Sequence, residues 1–207
     1  MSRSFLLIDI LIVSIAIFSL GVFRPDVVVI IAFAFTILYL IITHRSNLFE
    51  HLAVSTVLAL VWAVVGRHEY GYNQTFVAIG GVNLFPLFVG ATGLFATYLL
   101  FSHQELRHRA KGFQHQLFVF LAIYWPLLIF VETIAYHVFN IRNVAAAEYP
   151  GLPICDCMHA PPYMQAVYFL MGPLYFAICW KLRLERQTGL KSLGNLDSSK
   201  NLDSQGL

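Results

Sequence analysis

The chain has 207 residues, 58% of them hydrophobic and 12% charged, with a formal net charge of +2 and a mean hydropathy of +0.71. Soluble domains carry roughly 45–50% apolar and about 25% charged residues, so this composition excludes an ordinary water-soluble globule, a disordered chain and a collagen-like repeat. The small net charge gives no footprint for nucleic acid, and three cysteines, an odd number, imply no disulfide framework.

A helix crosses a bilayer with roughly 20 apolar residues. The pattern predicts an all-α polytopic transmembrane bundle of six spans, one domain over residues 1–186. Span 1 covers 5–23. Its start resembles a signal peptide, but the apolar run is long, Asp9 interrupts it and no small-residue cleavage site follows, so we read an uncleaved helix. Arg24-Pro25-Asp26 makes a tight turn into span 2, 27–43, because Pro fixes the backbone and charge stops insertion. His44-Arg45-Ser46-Asn47 breaks that span, and span 3 follows at 48–66. Gly71–Asn83 reads as an interrupted loop around Gly80-Gly81. Span 4 is 84–101, and a polar, basic connection runs from Ser102 to His115. Span 5 is 116–140 with Pro126 inside it, and Ile141–Pro162 is the longest loop. Span 6 is 163–180, carrying Gly172-Pro173. The polar tail 187–207 lacks an apolar face and is expected to be disordered.

Lys and Arg counted on alternate sides set the orientation. Arg3, Arg45, Arg107, Arg109, Lys111, Lys181, Arg183, Arg186, Lys191 and Lys200 fall on one side, and Arg24, Arg67 and Arg142 on the other. This bias predicts cytoplasmic termini in a multi-pass protein of the cell membrane, with loops 67–83 and 141–162 facing outward.

An acid inside a bilayer costs about 2.5–3.5 kcal/mol on insertion scales. Glu132 is such an acid, roughly 12 Å below the outer end of span 5. If the helix continues, Tyr136, Asn140 and Asn143 share its stripe, while His137 lies on another flank. Glu132 must then face protein or a cavity. Beside an apolar substrate it is a candidate general acid or base, with Tyr136, His137 and Asn143 orienting it. The alternative is a structural hydrogen bond between helices. Around the same outer face, His68, Glu69, Asp156 and His159 are expected to line a mouth, or else to be ordinary interfacial polarity.

Cys155-Asp156-Cys157-Met158-His159 leaves three alternatives open: a metal site, a disulfide, or free structural thiols. Pro150, Pro153, Pro161 and Pro162 make this loop rigid, as a cap over the bundle would be. The inner histidines, His44, His51, His103, His108 and His115, show no pair at four-residue spacing, which argues against a di-iron site. His51 and His115 both sit at inner span ends, a poor arrangement for haem. No nucleophile elbow, P-loop, zincin or dinucleotide motif occurs. Asn73-Gln74-Thr75 is a glycosylation sequon on the outer side.

Tyr70-Gly71-Tyr72-Asn73, Ile79-Gly80-Gly81-Val82 and Leu84-Phe85-Pro86-Leu87 together resemble the small membrane proteins of carotenoid biosynthesis, including lycopene-cyclase-type domains. In those, a helix closes on an aromatic, Asn-containing loop, and a Pro-Leu pair opens the next helix. The resemblance covers about 20 residues, and where the cyclase-type domains carry acids after that proline this chain has Leu87, Phe88 and Val89. It implies an isoprenoid ligand, with Glu132 left to supply the acid.

These readings lead to an intramembrane enzyme performing proton-driven cyclisation, hydration or isomerisation on an isoprenoid or other lipid, with no soluble cofactor and no metal. The alternative is a non-catalytic membrane protein, such as a small carrier, channel component or assembly partner, in which Glu132 fastens helices.

Overall fold

The computed structural model describes residues 3–45, 48–108 and 112–203, with side chains described over 6–45, 48–103 and 112–182. It is all-helical apart from one small hairpin. The six helices are α1 (Arg3–Val22), α2 (Pro25–Ile42), α3 (Phe49–Val65), α4 (Leu84–His108), α5 (Gly112–Thr133) and α6 (Pro162–Asp203). They fall on the six apolar segments of the sequence.

Three stretches, Pro25–Ile42, Leu84–His103 and Gly112–Val138, are long and apolar enough to cross a membrane; Leu6–Val22 and Phe49–Val65 are shorter apolar helices. The apolar surface is not hidden inside. Leu7, Phe18 and Val22 of α1, Phe35 and Ile42 of α2, and Val65 of α3 are all at least 60% exposed. An apolar surface of this extent needs an apolar solvent.

Helix α4 is the hub. It packs against α1, α2, α3 and α5, while α6 closes against α3 and α5. Phe95, Tyr98 and Phe101 of α4 meet Phe120 and Tyr124 of α5 and Tyr175 and Phe176 of α6 in one buried aromatic core. The α3–α4 seam is made of small residues, Ala59, Ala63 and Ala91. A Cβ on Gly90 would stand 3.2 Å from the Ala59 Cβ, so glycine lets these two backbones approach.

Several local features follow from particular residues. Arg24 Nη2 and the Val77 N–H both donate to Asp26 Oδ2, at 2.9 and 3.0 Å, pinning the loop before the hairpin to the start of α2. Gly80 and Gly81, both at positive φ (58° and 78°), turn the hairpin between β1 (Ala78–Ile79) and β2 (Val82–Asn83). Pro173 has no N–H for the Phe169 carbonyl, which instead lies 3.3 Å from Trp125 Nε1 of α5.

Three sequence boundaries shift. The polar connection expected from Ser102 to His115 is helical over 102–108 and 112–115, since α4 runs to His108 and α5 starts at Gly112; residues 109–111 lie outside the described residues. Span 5 does not continue as a straight helix to Asn140. It widens into a π-turn over Ile134–Val138, and Asn140 adopts a left-handed φ of 53°. The helical stripe joining Glu132 to Asn140 and Asn143 is therefore broken. Helix α6 extends to Asp203, so it runs through residues 187–203 of the tail expected to be disordered; the side chains of 183–203 and all of 204–207 lie outside the described residues.

Candidate functional site

A cavity of about 1010 Å³ opens among the helices. The half beside the 67–83 segment is bordered by residues from all six, including Ala59 and Trp62 of α3, Pro86 of α4, Glu132 of α5 and Tyr168 of α6. The rest runs between α1, α2 and α4, past Val13, Leu38 and Leu99.

Glu132 is the one acidic side chain in this lining, and no Lys or Arg borders it among the described residues. It lies one residue before the end of α5, just ahead of the π-turn. Its carboxyl makes no hydrogen bond or ion pair among the described residues. Four tyrosines, Tyr70, Tyr72, Tyr124 and Tyr168, stand close enough to feel its charge, and all four border the cavity.

Those tyrosines are held by their own bonds. Trp62 Nε1 donates to the Tyr70 hydroxyl at 2.5 Å, and the Tyr70 and Tyr168 hydroxyls share a hydrogen bond at 3.0 Å. The Tyr124 hydroxyl donates to the Tyr168 carbonyl at 2.5 Å. Burial pushes the Tyr70 phenol up to about 12, against its hydrogen bonds to Tyr168 and Trp62, and the Glu132 charge adds to the rise. Burial raises Tyr72 well above its ordinary value too. Both therefore present neutral hydroxyls at physiological pH.

Of the residues singled out in the sequence, Glu132, Tyr136, Asn143 and His159 border the cavity. Asn143 arrives from the loop rather than from a helical stripe. Its Oδ1 accepts the Gly71 N–H at 3.0 Å and its Nδ2 donates to the Glu69 carbonyl at 2.7 Å. Both ends of its amide are thus used to clamp the 69–72 segment. Tyr136 is sandwiched between the His159 ring, stacked at 4.8 Å, and the Arg142 guanidinium, 4.7 Å from its centroid.

The other four lie away from the lining. His137 is exposed, and its Nε2 donates to the Cys155 carbonyl at 2.8 Å, away from Glu132. His68 is exposed and accepts from Arg67 Nε at 3.0 Å. Glu69 takes a hydrogen bond from Tyr163. The Asp156 side chain is 80% exposed, 3.5 Å from His159 Nε2.

Cys155 and Cys157 are joined in a disulfide, one of the three alternatives for that loop. Among the described residues no group of three or more His, Cys, Asp or Glu side chains is placed to hold a metal ion. The loop roofs the cavity through Met158, His159 and Ala160. Gln165 Nε2 holds it down, lying within 3.2 Å of the Pro150, Met158 and Ala160 carbonyls. The sequon Asn73 is engaged too: its Nδ2 donates to the Asn140 carbonyl at 2.7 Å and its Oδ1 accepts the Arg142 N–H at 3.0 Å.

A second polar cluster lies at the opposite end of the bundle, beside the turn between α2 and α3. Asp9 is fully buried in α1. It accepts from Arg45 Nη1 at 3.0 Å, pairs with His103 Nε2 at 2.6 Å and takes a hydrogen bond from the Tyr39 hydroxyl. Arg45 Nη2 also reaches Ser102 Oγ at 3.4 Å. The cluster ties α1 to α2, α4 and the 44–45 turn. The sequence marked Asp9 only as an interruption. The rule that an intramembrane acid needs a partner would have flagged it, but not named partners spread over positions 39, 45 and 103.

Comparison with protein-family models, with curated proteins and with solved structures gives no match to this chain.

Proposed function

We propose that the protein is an intramembrane enzyme that moves protons on an isoprenoid or other apolar lipid, with Glu132 as the proton donor and acceptor. The observation that carries this reading is a carboxyl without a hydrogen-bonding partner among the described residues, facing a large apolar cavity. Binding sites of small molecules have this form: a concave apolar wall with a few convergent polar groups.

An acid retained in an apolar chain is either fastened or functional. Asp9 shows what a fastened acid looks like here, with three partners around one carboxylate. Glu132 contrasts with it, and that contrast weighs against the non-catalytic alternative in which Glu132 holds helices together. The neutral tyrosine hydroxyls around it would orient a substrate, and their ring faces would favour positive charge developing on it. Protonation of an alkene by Glu132, then loss of a proton from a neighbouring carbon back to the carboxylate, is a balanced isomerisation that needs no other reagent.

The reading includes six membrane spans with cytoplasmic termini in the cell membrane. The exposed apolar faces of α1 and α3 and the Lys and Arg bias support it. The likeness to lycopene-cyclase-type domains supports the ligand class, because Tyr70, Tyr72, Phe85 and Pro86 of that segment border the cavity.

Native mass spectrometry from mild detergent, with lipid extraction, tests the site. A specific lipid should accompany the wild type and be lost or chemically altered in Glu132→Gln. Absence of any specific lipid from both forms, with unchanged stability, would overturn the reading.

A further inference from the structure

The cavity is longer than the Glu132 chamber needs. Its lining follows α2 from Val27 to Ile42, a length of roughly 22 Å at the helical rise. Beyond the Glu132 chamber it continues as a slot bordered by α1, α2 and α4. The slot is open on one flank: Ile15, Ile31, Phe35 and Leu38 border it and are nevertheless 48–63% exposed.

The polar atoms along this slot are used within their own helices. Thr36 Oγ1 donates to the Ala32 carbonyl at 2.8 Å and Thr97 Oγ1 to the Gly93 carbonyl at 2.9 Å. At the end away from Glu132 the Tyr39 hydroxyl is committed to Asp9. The slot therefore offers a ligand only hydrocarbon, and Glu132 stands in the chamber. The whole cavity, chamber included, has a volume of about 1010 Å³, which over this length averages roughly 45 Å² in cross-section, room for a methyl-branched chain as well as a straight one.

Resting on the functional reading above, we infer that the site selects a neutral lipid with a single methyl-branched, polyprenyl-type chain. This lipid enters sideways from the bilayer, places its uncharged polar or unsaturated end at Glu132 and lays its tail along α2 toward the inner side. Charge complementarity carries the choice. The lining holds one carboxyl, no Lys or Arg, and one imidazole, His159, whose ring nitrogens lie 2.8 Å from the Tyr149 carbonyl and 3.2 Å from the Asp156 carbonyl, so a phosphorylated or carboxylate end would meet no uncommitted cation in the lining among the described residues. Each buried chain carbon adds affinity in proportion to the area it covers, so a tail that fills the slot sets a length preference.

Gly93 supplies the test. It sits on α4 in the lining, and a Cβ there meets nothing within 4 Å. A larger side chain there starts from open space on the α4 wall of the slot. The full chain is titrated with geraniol, farnesol, geranylgeraniol, geranylgeranyl phosphate and octadecanol, and retention is read by native mass spectrometry. Geranylgeraniol should bind about tenfold or more tighter than geraniol, and tighter than octadecanol or the phosphate. Gly93→Phe should abolish the length preference while geraniol still binds, and Gly93→Leu should reduce it. Equal binding across chain lengths, phosphate binding as tight as the alcohol, octadecanol matching geranylgeraniol, or an unchanged preference in both variants would each overturn the inference. The readout is binding, so a failure of proton chemistry at Glu132 would leave these results standing and remain distinguishable.

Discussion

The Tyr70 and Tyr168 hydroxyls meet at 3.0 Å and join the segment after α3 to helix α6 beside the Glu132 chamber. A single Tyr70→Phe change leaves the Trp62 Nε1–H and the Tyr168 hydroxyl without that partner. We expect it to destabilise the protein by about 1–3 kcal/mol. Tyr168→Phe should cost a similar amount, and the double variant less than the sum of the two. Thermal unfolding in detergent for the four members of the cycle measures the coupling, and strict additivity would contradict a shared bond.

The same tyrosine predicts alkaline behaviour. Tyr70 titrates at about 12 when folded, against an ordinary value of 10.0, because burial disfavours the phenolate. A raised folded value means that the folded state holds the proton more tightly. Its contribution to stability is complete below pH 10 and is lost as pH climbs toward 12. Melting temperature should thus fall over that window, and Tyr70→Phe should flatten part of the fall. A pH-independent difference between the two proteins would contradict this assignment.

Asp9 fastens α1 to α2, α4 and the 44–45 turn, so its removal should be structural. Asp9→Ala leaves the Arg45 guanidinium, only 11% exposed, beside a half-emptied cluster. Breaking a buried pair in this way costs about 3–5 kcal/mol. Chemical or thermal unfolding should show a large loss, while any lipid bound at Glu132 keeps its identity in the fraction that remains folded. A loss below about 1 kcal/mol, the range of an exposed pair, would contradict the buried geometry.

Helices α5 and α6 touch at Gly172. A Cβ there would stand 2.3 Å from Tyr124 Cδ1, so Gly172→Ala must push the Tyr124 ring and its bond to the Tyr168 carbonyl aside. Overpacking of this kind costs about 1–3 kcal/mol. Reduced melting temperature with altered near-ultraviolet circular dichroism is the expected signature, and full stability would mean that the two helices are less closely packed.

The sequence made the helices legible because each contains a long, mostly apolar run bounded by charge, proline or glycine. The Arg24-Pro25-Asp26 turn is one such boundary, whereas Gly71–Asn83 read only as an interrupted loop and the β1–β2 hairpin at Gly80-Gly81 came from the structure. Glu132 stood out for the same reason, as one acid in an apolar run. Its neighbours were less legible. Extending α5 as an ideal helix put Asn140 and Asn143 on the stripe of Glu132, whereas the π-turn at Ile134–Val138 ends that geometry. Tyr124 and Tyr168 gave no signal, since an aromatic residue inside an apolar helix reads as core until its neighbours are known. The Asp9 cluster joins residues up to 94 positions apart, a distance over which periodicity carries no information.

The central claim is that Glu132 exchanges a proton with a bound lipid. The most direct measurement is solvent deuterium incorporation: the full chain with its co-purified lipid, or with geranylgeraniol, is held in deuterated buffer and the extracted lipid is weighed by mass spectrometry. Wild type should place deuterium on carbon, and Glu132→Gln, which keeps the side-chain shape and loses the transferable proton, should place none while remaining folded. Deuterium incorporation by Glu132→Gln at the wild-type rate would contradict the account, and so would its absence from a wild type shown to hold the lipid.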